Sequence, residues 1–484
     1  MSKFNDEYVM TIDGKSVSAD STFEAYNPAT KETIVNVPDA SKDQLDEAVA
    51  SARKAFTIWS TAPLSKRQAA VTAIGQVIAD NAEELMALLT KEQGKPRAGA
   101  EWEILGSAAW CAEIAKQSLP DEQIEESDDR RVITRFSPLG VVGGITPWNF
   151  PILLAIWKIA PALVTGNCIV IKPSPFTPLC TLKLGELCQD VLPPGVFNVI
   201  SGGDDLGKWM TAHPGISKIA FTGHTDTGKH VMRSAADTLK RLTLELGGND
   251  PAVVLPDVDP EVVAPELFWG AYQNNAQFCN SIKRIYIHED VYDDVRDALV
   301  EFAKGMKVGN GADADTALGP IQNLPQYEKV NEYIDDCKAN NHEFALGGDV
   351  DKNAEGWFIP ITLIDNPPED SRIVTEEPFG PIVPLLKWSD EEDVIARAND
   401  TRYGLGASVW GKDQATVERI GSQLDAGTVW LNEIHQYSPY QAFGGHKESG
   451  IGCENSLHGL MEYTNWHTIT LNKNWGQGSA EKAA

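Results

Sequence analysis

Between residues 141 and 246, short apolar segments alternate with segments of helical length, and this feature constrains the fold most strongly. The segments VVGGI, CIVIK and ISKIAF are mostly apolar, which is typical of strands buried on both faces. Helices are predicted between the apolar segments, over residues 153–164, 178–192, 205–213 and 225–238. Buried strands separated by helices form a parallel sheet covered on both sides. The pattern therefore predicts an α/β fold that binds ligands at the carboxyl ends of its strands.

The rest of the chain adds helices before this region and a second alternation after it. Residues 7–36 predict short strands and turns, and residues 131–137 predict a strand after an acidic, solvated loop at 121–129. Beyond residue 284 apolar strands again alternate with helices, which predicts a second α/β domain. The helices predicted outside the first alternation span residues 41–55, 65–90, 101–118, 291–306, 324–340 and 391–399.

Length, charge and cysteine usage limit the class of protein. A chain of 484 residues predicts two or three domains, and a net charge of −28 would repel nucleic acid and anionic lipid. Prolines interrupt the most apolar stretch, residues 141–164, so no membrane span is predicted. No signal peptide is expected from the first ten residues. Seven scattered cysteines without a CxxC pair predict a reducing, cytoplasmic location, with no disulfide framework and no metal site.

The segment AYQNNAQFCNSIKR places Cys279 among polar and basic residues, immediately before a predicted strand. A nucleophilic thiol needs partial access and polar or positive neighbours that favour its thiolate. Cys279 has such neighbours in Gln277 and Lys283. The alternative interpretation is an inert, buried thiol, which is the commoner state of free cysteine. The segment alone does not decide between these two interpretations.

Seven short motifs resemble, in content and order, those of the aldehyde dehydrogenase superfamily over roughly residues 20–472. The usual dinucleotide fingerprint GxGxxG is absent, and FTGHTDTG at 221–228 is its nearest counterpart. The motifs are PWNFP at 147–151, KPS at 172–174, FTG at 221–223, LELGG at 244–248, NAQFC at 275–279, EEPFGP at 376–381 and FGG at 443–445.

The resemblance implies an NAD(P)-dependent enzyme that oxidises an aldehyde to a carboxylic acid. Cys279 would attack the aldehyde as a thiolate, and the Asn149 amide with the Cys279 N–H would bind the resulting oxyanion. Glu245 would be the base that activates water to hydrolyse the thioester, although a carboxylate here could otherwise serve as a helix cap or ion-pair partner. Glu454 would be an auxiliary proton relay.

The resemblance also implies a coenzyme site in which Lys172 binds the adenosine ribose and Glu377 binds the nicotinamide ribose. An acidic residue that binds the adenosine ribose is common in the family three positions after this lysine, and Pro175 stands there instead. NAD is therefore favoured only modestly over NADP, and His224 receives no specific role. The expected coenzyme-binding residues are Ile145, Thr146, Pro147, Trp148, Lys172, Ser174, Pro175, Gly203, Gly207, Phe221, Thr222, Gly223, His224, Leu246, Glu377 and Phe379.

The implied architecture has a Rossmann-type coenzyme domain, an α/β catalytic domain and a β-stranded oligomerisation arm. The expected ranges are 1–118 and 139–246 for the coenzyme domain, 247–448 for the catalytic domain, and 119–138 with 449–484 for the arm. Residues 467–472 alternate like a strand, and an exposed edge strand of this kind needs a partner. A homodimer or homotetramer is therefore expected.

The expected substrate pocket is apolar and aromatic. The loop at 434–443 contains no Arg or Lys, which disfavours a semialdehyde with a distal carboxylate. Aromatic or medium-chain aliphatic aldehydes are favoured, and the alternative is a cationic aminoaldehyde held by Glu433, Trp157, Tyr437 and Tyr440. Leu154 and Trp157 can equally be explained by helix packing. The expected lining residues are Leu153, Leu154, Trp157, Phe278, Asn280, His435, Tyr437 and Phe443.

Two other functions compete with aldehyde oxidation. A catalytically silent relative would have no use for Cys279, Glu245 and Asn149 together. A thiol hydrolase would need a histidine partner for Cys279, and it would leave Lys172 and Glu377 unexplained. Neither alternative therefore explains as many residues as an aldehyde dehydrogenase does.

Overall fold

The structure, a computed structural model, describes residue 4 and residues 7–476. The ends of the expected domain ranges, at residues 1–3, 5–6 and 477–484, lie outside the described residues. Two open sheets organise this part of the chain, and each lies between helices that share its hydrophobic core. No helix in this part of the chain combines the length and the apolar character needed to cross a membrane.

The N-terminal region supplies four strands and four helices. The strands are β1 Met10–Ile12, β2 Lys15–Val17, β3 Ser21–Tyr26 and β4 Thr33–Asp39, and the helices are α1 Lys42–Trp59, α2 Leu64–Asp80, α3 Ala82–Gln93 and α4 Arg97–Ile114. The single helix predicted over 65–90 is wrong, because the helix breaks at Asn81. The Asn81 amide donates to the Val77 carbonyl at 2.8 Å, and this local bond competes with the helical ladder.

The acidic segment predicted as a loop contains a strand, β5 Glu122–Glu126, paired antiparallel with β6 Arg130–Pro138. Carboxylates of β5 lie opposite guanidinium groups of β6, with Glu126 3.5 Å from Arg131 and Glu125 3.8 Å from Arg130. The prediction failed because these charges are paired across strands, where a local charge count cannot detect the pairing.

The first alternation forms the parallel part of an eight-stranded sheet, as predicted. Its elements are β7 Val141–Ile145, α5 Leu153–Val164, β8 Cys168–Lys172, α6 Leu179–Leu187, β9 Phe197–Val199, α7 Asp204–Ala212, β10 Lys218–Thr222, α8 Thr225–Ala236 and β11 Arg241–Glu245. The helix predicted over 178–192 ends earlier, and a 3-10 turn at Cys188–Asp190 follows it. The strand order β9-β8-β7-β10-β11 reverses direction between β7 and β10, and ligands bind at such a reversal.

The second alternation forms a seven-stranded sheet in the order β14-β15-β16-β13-β12-β18-β19, and all of its pairs except β14–β15 are parallel. Its elements, with the short strand β17, are β12 Asp250–Val254, α9 Pro260–Tyr272, β13 Ile282–His288, α10 Tyr292–Lys304, α11 Leu324–Ala339, β14 Glu343–Leu346, β15 Thr362–Asp365, α12 Arg372–Thr375, β16 Ile382–Trp388, α13 Glu391–Asn399, β17 Tyr403–Gly404, β18 Gly406–Trp410, α14 Gln414–Gly421 and β19 Thr428–Leu431.

The C-terminal segment returns to the first sheet before it forms the arm. Its elements are β20 His446–Lys447, β21 Gly450–Ile451, α15 Ser456–Met461 and β22 Thr464–Asn472. Strand β21 pairs antiparallel with β11, and Leu460 and Tyr463 pack in the first core. Within the range 449–484 expected for the oligomerisation element and arm, the long strand begins at Thr464. Strand β22 pairs with β6 on one side and forms one edge of a three-stranded sheet.

Candidate active site

The thiol of Cys279 follows a turn with unusual backbone geometry. Asn274, Asn275 and Ala276 have φ angles of 53°, 57° and 58°, so three consecutive non-glycine residues adopt the left-handed conformation. Such residues cost of order 1–3 kcal/mol each and persist only where the surroundings hold them. The Asn275 amide donates to the Gly319 carbonyl at 2.8 Å, and the Gln277 side-chain oxygen accepts the Gln322 N–H at 2.8 Å. The sequence NNAQ therefore builds a rigid turn that positions the thiol.

Asn149 lies just beyond the carboxyl end of β7 and is packed against the same turn. Its side-chain amide donates to the Gln277 carbonyl at 3.0 Å, which leaves one amide proton for another acceptor. Its own backbone carbonyl accepts the Lys95 ammonium at 2.9 Å and the Asn274 amide at 3.2 Å. Asn149 is 3% exposed, so these bonds are sheltered from water. The strand end and the thiol turn are thus bonded directly to one another.

Glu245 is the last residue of β11 and is 4% exposed. Neither carboxyl oxygen has a hydrogen-bond partner within the described residues. Burial raises the pKa of Glu245 well above its ordinary value, Glu454 raises it further, and Lys158 opposes both. An unpaired carboxyl group with a raised pKa is suited to exchanging a proton near neutral pH.

A buried ion pair lies beside Glu245. The ammonium group of Lys158 is 2.9 Å from the carboxylate of Glu454 and donates to the Thr222 hydroxyl at 2.8 Å. Both side chains of the ion pair are fully buried. The second carboxylate oxygen of Glu454 has no partner among the described residues. Lys158 therefore connects Thr222, at the carboxyl end of β10, to Glu454. Both charged groups of the ion pair are close enough to shift the pKa of Glu245.

The thiol of Cys279 faces charged groups from several elements. Burial raises the pKa of the Cys279 thiol to about 12, Lys283 lowers it, and Glu245, Asp250 and Glu377 raise it. Asn149 and Cys279 line one cavity of about 120 Å³, while Glu245 acts on the thiol from the adjacent strand β11. The structure thus brings Cys279, Asn149 and Glu245 together, and Glu454 stands next to Glu245.

The cavity lies at the strand reversal between β7 and β10. Trp148 and Phe379 form an aromatic wall with their ring centroids 5.3 Å apart. Glu377 accepts the Gly248 N–H at 3.1 Å and is 7% exposed. The cavity is lined by Pro147, Trp148, Asn149, Thr222, Gly223, His224, Leu246, Gly247, Cys279, Gln326, Lys329, Glu377 and Phe379.

The remaining expected coenzyme residues lie around this cavity. Ile145 and Phe221 pair with one another at the strand ends, and the Thr146 N–H donates to the Lys172 carbonyl at 3.1 Å. A Cβ atom added at Gly203 would meet no heavy atom within 4 Å, and one added at Gly207 would lie 3.9 Å from Lys172 Cε. Open space therefore exists beside Lys172 at the start of α7.

Two expected coenzyme residues serve local structure, and a third lies outside the cavity. Ser174 accepts the Phe176 N–H at 3.3 Å within the KPS turn. The Nδ1 atom of His224 accepts the Asp226 N–H at 3.2 Å, so His224 caps helix α8. Pro175 lines a separate groove with Phe176 and Trp357, outside the cavity that contains Cys279.

On its other side, Cys279 contacts a cluster of aromatic and aliphatic side chains. Trp157 stacks on Trp110 at 5.5 Å between ring centroids and meets Phe443 edge-on at 5.4 Å. Expected pocket residues in the cluster are Leu153, Leu154, Trp157, Phe278, Tyr437 and Phe443, and its other members are Phe150, Trp110 and Leu405. Helix packing and pocket lining are therefore not exclusive for Leu154 and Trp157, because both side chains belong to the cluster that includes Cys279.

The expected pocket residues Asn280 and His435 lie just behind this cluster. The Asn280 amide donates to the Tyr437 hydroxyl at 2.6 Å, and His435 packs against Phe278 with ring centroids 4.6 Å apart. His435 Nε2 is 3.1 Å from the Asn280 carbonyl and Nδ1 is 2.9 Å from the Gln273 side chain. Burial lowers the pKa of His435 to about 4, and the hydrogen bond to Asn280 opposes that shift.

Two residues expected for an aminoaldehyde lie elsewhere. Glu433 is exposed and lines a groove with Val258 and Lys412, and the Tyr440 hydroxyl donates to Glu113 at 2.8 Å. Sequence position suggested these two residues because they flank Tyr437. The conformation of the loop directs Glu433 and Tyr440 away from Tyr437.

The sequence and the fold match one family of known proteins. A family model described as the aldehyde dehydrogenase family matches residues 16–469. The chain belongs to the aldehyde dehydrogenase family. The protein is accordingly an NAD(P)-dependent aldehyde dehydrogenase that acts on small aldehydes, which confirms the predicted family, fold class and type of reaction.

Similar aldehyde dehydrogenases include enzymes of different specificity. Phenylacetaldehyde dehydrogenase of Pseudomonas fluorescens is 35% identical over 479 residues, covering 96% of this chain and 95% of that protein. The NAD⁺ complex of aldehyde dehydrogenase from Bacillus cereus is 37% identical, covers 96% of both chains and has a TM-score of 0.94. Betaine aldehyde dehydrogenase of Staphylococcus aureus with NAD⁺ is 35% identical, covers 99% of this chain and 97% of that one, and has a TM-score of 0.94.

The aldehyde dehydrogenase cavity includes residues that the sequence did not single out. Gln326 and Lys329 of α11 reach it, and their side chains donate to backbone carbonyls of residues 377–379 at 2.8–3.0 Å. Their spacing of three residues places both on one face of the helix, and that spacing was the only available signal. Within residue 4 and residues 7–476, no group of three or more His, Cys, Asp or Glu side chains is arranged to hold a metal ion.

Proposed function

We propose that this aldehyde dehydrogenase oxidises aromatic or medium-chain aliphatic aldehydes to carboxylic acids, with NAD as the preferred coenzyme. One observation carries the proposal: Cys279 lies between a cavity at the strand reversal and a cluster of aromatic and aliphatic side chains. A thiol in this position meets a coenzyme from one side and an apolar substrate from the other. The same arrangement disfavours a catalytically silent relative, which would have no use for a thiol between the cavity and the cluster.

The residues around the cavity fit a nicotinamide dinucleotide. Lys172, beside the open space at Gly203, would bind the adenosine ribose, and the amino end of α8 would favour the phosphates. Glu377 would bind the nicotinamide ribose, with Trp148 and Phe379 as aromatic walls. When bound, the nicotinamide supplies the two-electron acceptor that takes a hydride from the substrate carbon.

Carbon–sulfur bond formation is the first chemical step of the proposed mechanism. The Cys279 thiol loses its proton, and the thiolate adds to the aldehyde carbon to give a thiohemiacetal oxyanion. The free amide proton of Asn149 and the Cys279 N–H would stabilise that oxyanion, and one such donor is worth about 2.7–4 kcal/mol. The rigid left-handed turn at Asn274–Ala276 would hold the Cys279 sulfur and the two donors in fixed positions relative to one another.

Glu245 carries the second half of the proposed mechanism. Loss of hydride leaves a thioester on Cys279, and a water molecule must be deprotonated to hydrolyse it. Glu245 would take that proton, the resulting hydroxide would add to the thioester carbon, and the C–S bond would break to release the carboxylic acid and the Cys279 thiolate. Glu454 and Lys158 would pass the proton onward, because this buried ion pair lies within electrostatic range of Glu245.

Charges beside Lys172 support NAD over NADP. Burial lowers the pKa of Lys172 to about 8, while Asp204 and Asp39 raise it, so two carboxylates lie near the ammonium group. An added phosphate on the ribose would meet both negative charges, even though Pro175 contributes none. We expect Asp39→Asn to reduce the ratio of kcat/KM with NAD to that with NADP, and an unchanged ratio would contradict this assignment.

Exposed residues of the arm support a homodimer or homotetramer. Strand β22 is an edge strand, and Trp466 and Leu471 are 73% and 52% exposed. An exposed edge with apolar side chains is a template for pairing with another copy of the chain. A cytoplasmic location stays a prediction from the cysteine usage.

A cationic aminoaldehyde is the second candidate substrate. The rings of Trp157, Tyr437 and Phe443 pack within 6.3 Å of one another, and such a cluster can bind a quaternary ammonium group by cation–π attraction. Glu433 lies outside this cluster, so the charge complement expected from the sequence does not support this candidate.

The deciding experiment compares phenylacetaldehyde, hexanal, betaine aldehyde and succinic semialdehyde with NAD and NADP, following absorbance of the reduced nicotinamide. We expect the highest kcat/KM for the two uncharged aldehydes, and Cys279→Ser should abolish turnover while coenzyme binding survives. Preference for betaine aldehyde would establish the second candidate. Ester hydrolysis without any aldehyde oxidation would indicate a thiol hydrolase, and retained oxidation in Cys279→Ser would exclude Cys279 as the nucleophile.

A further inference from the structure

Lys283 is a buried lysine within the turn that carries the thiol. It is the second residue of β13 and is 2% exposed. Its ammonium group donates to the backbone carbonyls of Cys279 at 2.5 Å, Phe278 at 3.1 Å and Ser281 at 3.4 Å. It also lies 3.5 Å from the carboxylate of Glu377. One cation thus bonds to the backbone on both sides of the nucleophile and to a wall of the coenzyme cavity.

These bonds fix the backbone N–H of Cys279. A peptide unit is planar and the described chain has no cis peptide bond, so the Phe278 carbonyl and the Cys279 N–H point in opposite directions. Holding the Phe278 carbonyl therefore sets the direction of the Cys279 N–H. The Phe278 carbonyl also accepts the Ser281 hydroxyl at 3.0 Å and the Ser281 N–H at 3.2 Å. Holding the Cys279 carbonyl sets the next peptide plane, so one ammonium group helps to hold both planes that flank the reactive residue.

The charge of Lys283 opposes the carboxylates that surround the thiol. Glu245 faces Cys279 from β11, Asp250 from β12, and Glu377 from the segment after α12. Each raises the pKa of the thiol, and Lys283 is the cation that lowers it. Asp250 is affected in the same way, since burial raises its pKa to about 7 and Lys283 lowers it. Without Lys283, the developing thiolate would face these acids alone.

We propose that Lys283 is a positioning residue for the reaction proposed above, which aligns the Cys279 N–H with the substrate oxyanion and supplies the positive charge that favours the thiolate. Its contact with Glu377 couples the thiol turn to the coenzyme cavity. This inference rests on the proposed function, because it assigns the residue through its action on Cys279. A purely structural lysine would stabilise the turn without changing the ionisation of the thiol.

The experiment compares Lys283→Met, Lys283→Gln and the control Lys183→Met. Glutamine retains a donor for the carbonyl oxygens and loses the charge, so it also supplies a folded variant if methionine is not tolerated. Lys183 of α6 is equally buried, but it lies away from Cys279. Its ammonium group donates to the Glu7 carbonyl at 2.6 Å. Alkylation of Cys279 by iodoacetamide is followed against pH in the coenzyme-free protein, with the modified peptide quantified by mass spectrometry. Steady-state oxidation of phenylacetaldehyde is measured in parallel.

We expect both Lys283 variants to slow alkylation of Cys279 about tenfold or more at every pH below the pKa of the thiol, since a nearby charge shifts a pKa by roughly 1–3 units and each unit changes the thiolate fraction about tenfold. Turnover should fall about 10- to 100-fold in Lys283→Met and less in Lys283→Gln, which keeps a donor. Lys183→Met should lower the unfolding temperature and leave the profile unchanged. An unaltered alkylation rate in a folded Lys283 variant would overturn the inference. Failure of the proposed function is distinguishable, because the wild-type protein would then oxidise no aldehyde while its alkylation profile still responded to Lys283.

Discussion

The two members of the buried pair Lys158–Glu454 should shift the pH dependence of Glu245 in opposite directions when each is removed. Lys158 lowers the pKa of Glu245, and Glu454 raises it. Lys158→Met removes the opposing cation, so the pKa of Glu245 should rise. Glu454→Gln removes a neighbouring negative charge, so the pKa should fall. A residue pair that served only for packing would produce no such difference in sign.

The magnitude follows from the geometry. Charges 2.9 Å apart attract by roughly 6 kcal/mol at an effective dielectric constant of about 20, so Lys158 and Glu454 strongly stabilise each other's charged form. Removal of one charge near a carboxyl group shifts its pKa by about 1–3 units, and each unit changes the ionised fraction about tenfold below the pKa. Lys158→Met should also cost about 3–5 kcal/mol of stability, since it leaves Glu454 buried and unpaired.

The assay isolates the step that needs the base. A p-nitrophenyl ester acylates Cys279 without coenzyme, and the steady-state rate after the burst reports hydrolysis of the thioester. The acid limb of that rate should move to higher pH in Lys158→Met and to lower pH in Glu454→Gln, with the double variant between them. A limb that moves in the same direction in both single variants, or in neither, would refute the assignment of Glu245 as the base controlled by this pair.

Three further outcomes are expected. Asn149→Ala should lower kcat by roughly 10²–10³-fold and leave coenzyme affinity unchanged, because it removes an oxyanion donor; normal kcat by absorbance assay would exclude that role. Burial raises the pKa of Glu92 from 4.5 to about 7, so its contribution to stability is present below pH 4.5 and is lost as pH rises through about 7. Glu92→Gln should therefore reduce the loss of unfolding free energy between these pH values by about 3 kcal/mol. Urea unfolding at pH 5 and pH 8 measures that loss, and an equal loss in wild type and variant would contradict the prediction. Trp466→Lys should shift the protein to a smaller species in sedimentation experiments, and an unchanged mass would show that β22 does not mediate assembly.

Strand and helix identity followed from periodicity wherever each element carries its own signal. Leu153–Val164 begins and ends where its apolar run predicts, and β7 and β8 match their segments. The failures occurred where a distant partner decides the structure. Strand β5 is stabilised by arginines of β6, and the two-residue strand β21 exists only because β11 accepts it.

The site could be predicted through its motifs but not through its electrostatics. Cys279, Asn149 and Glu245 stand in recognisable segments, so their proximity was expected. Only the helical spacing of Gln326 and Lys329 hinted that Lys329 reaches the cavity, and nothing in the sequence indicated that Lys283 bonds three backbone carbonyls. Glu433 and Tyr440 were wrongly associated with the pocket, because neighbours in a loop need not point in the same direction.

The attachment of β21 to β11 has a consequence for how the protein is made. The Leu246 N–H donates to the Ser449 carbonyl at 2.9 Å, and Gly450 lies opposite Glu245. A ribosome therefore releases the strand that carries Glu245 long before it releases the strand that covers its outer edge. A nascent chain truncated before Ser449 would expose that edge to other nascent chains, so a segment far along the chain closes the first sheet.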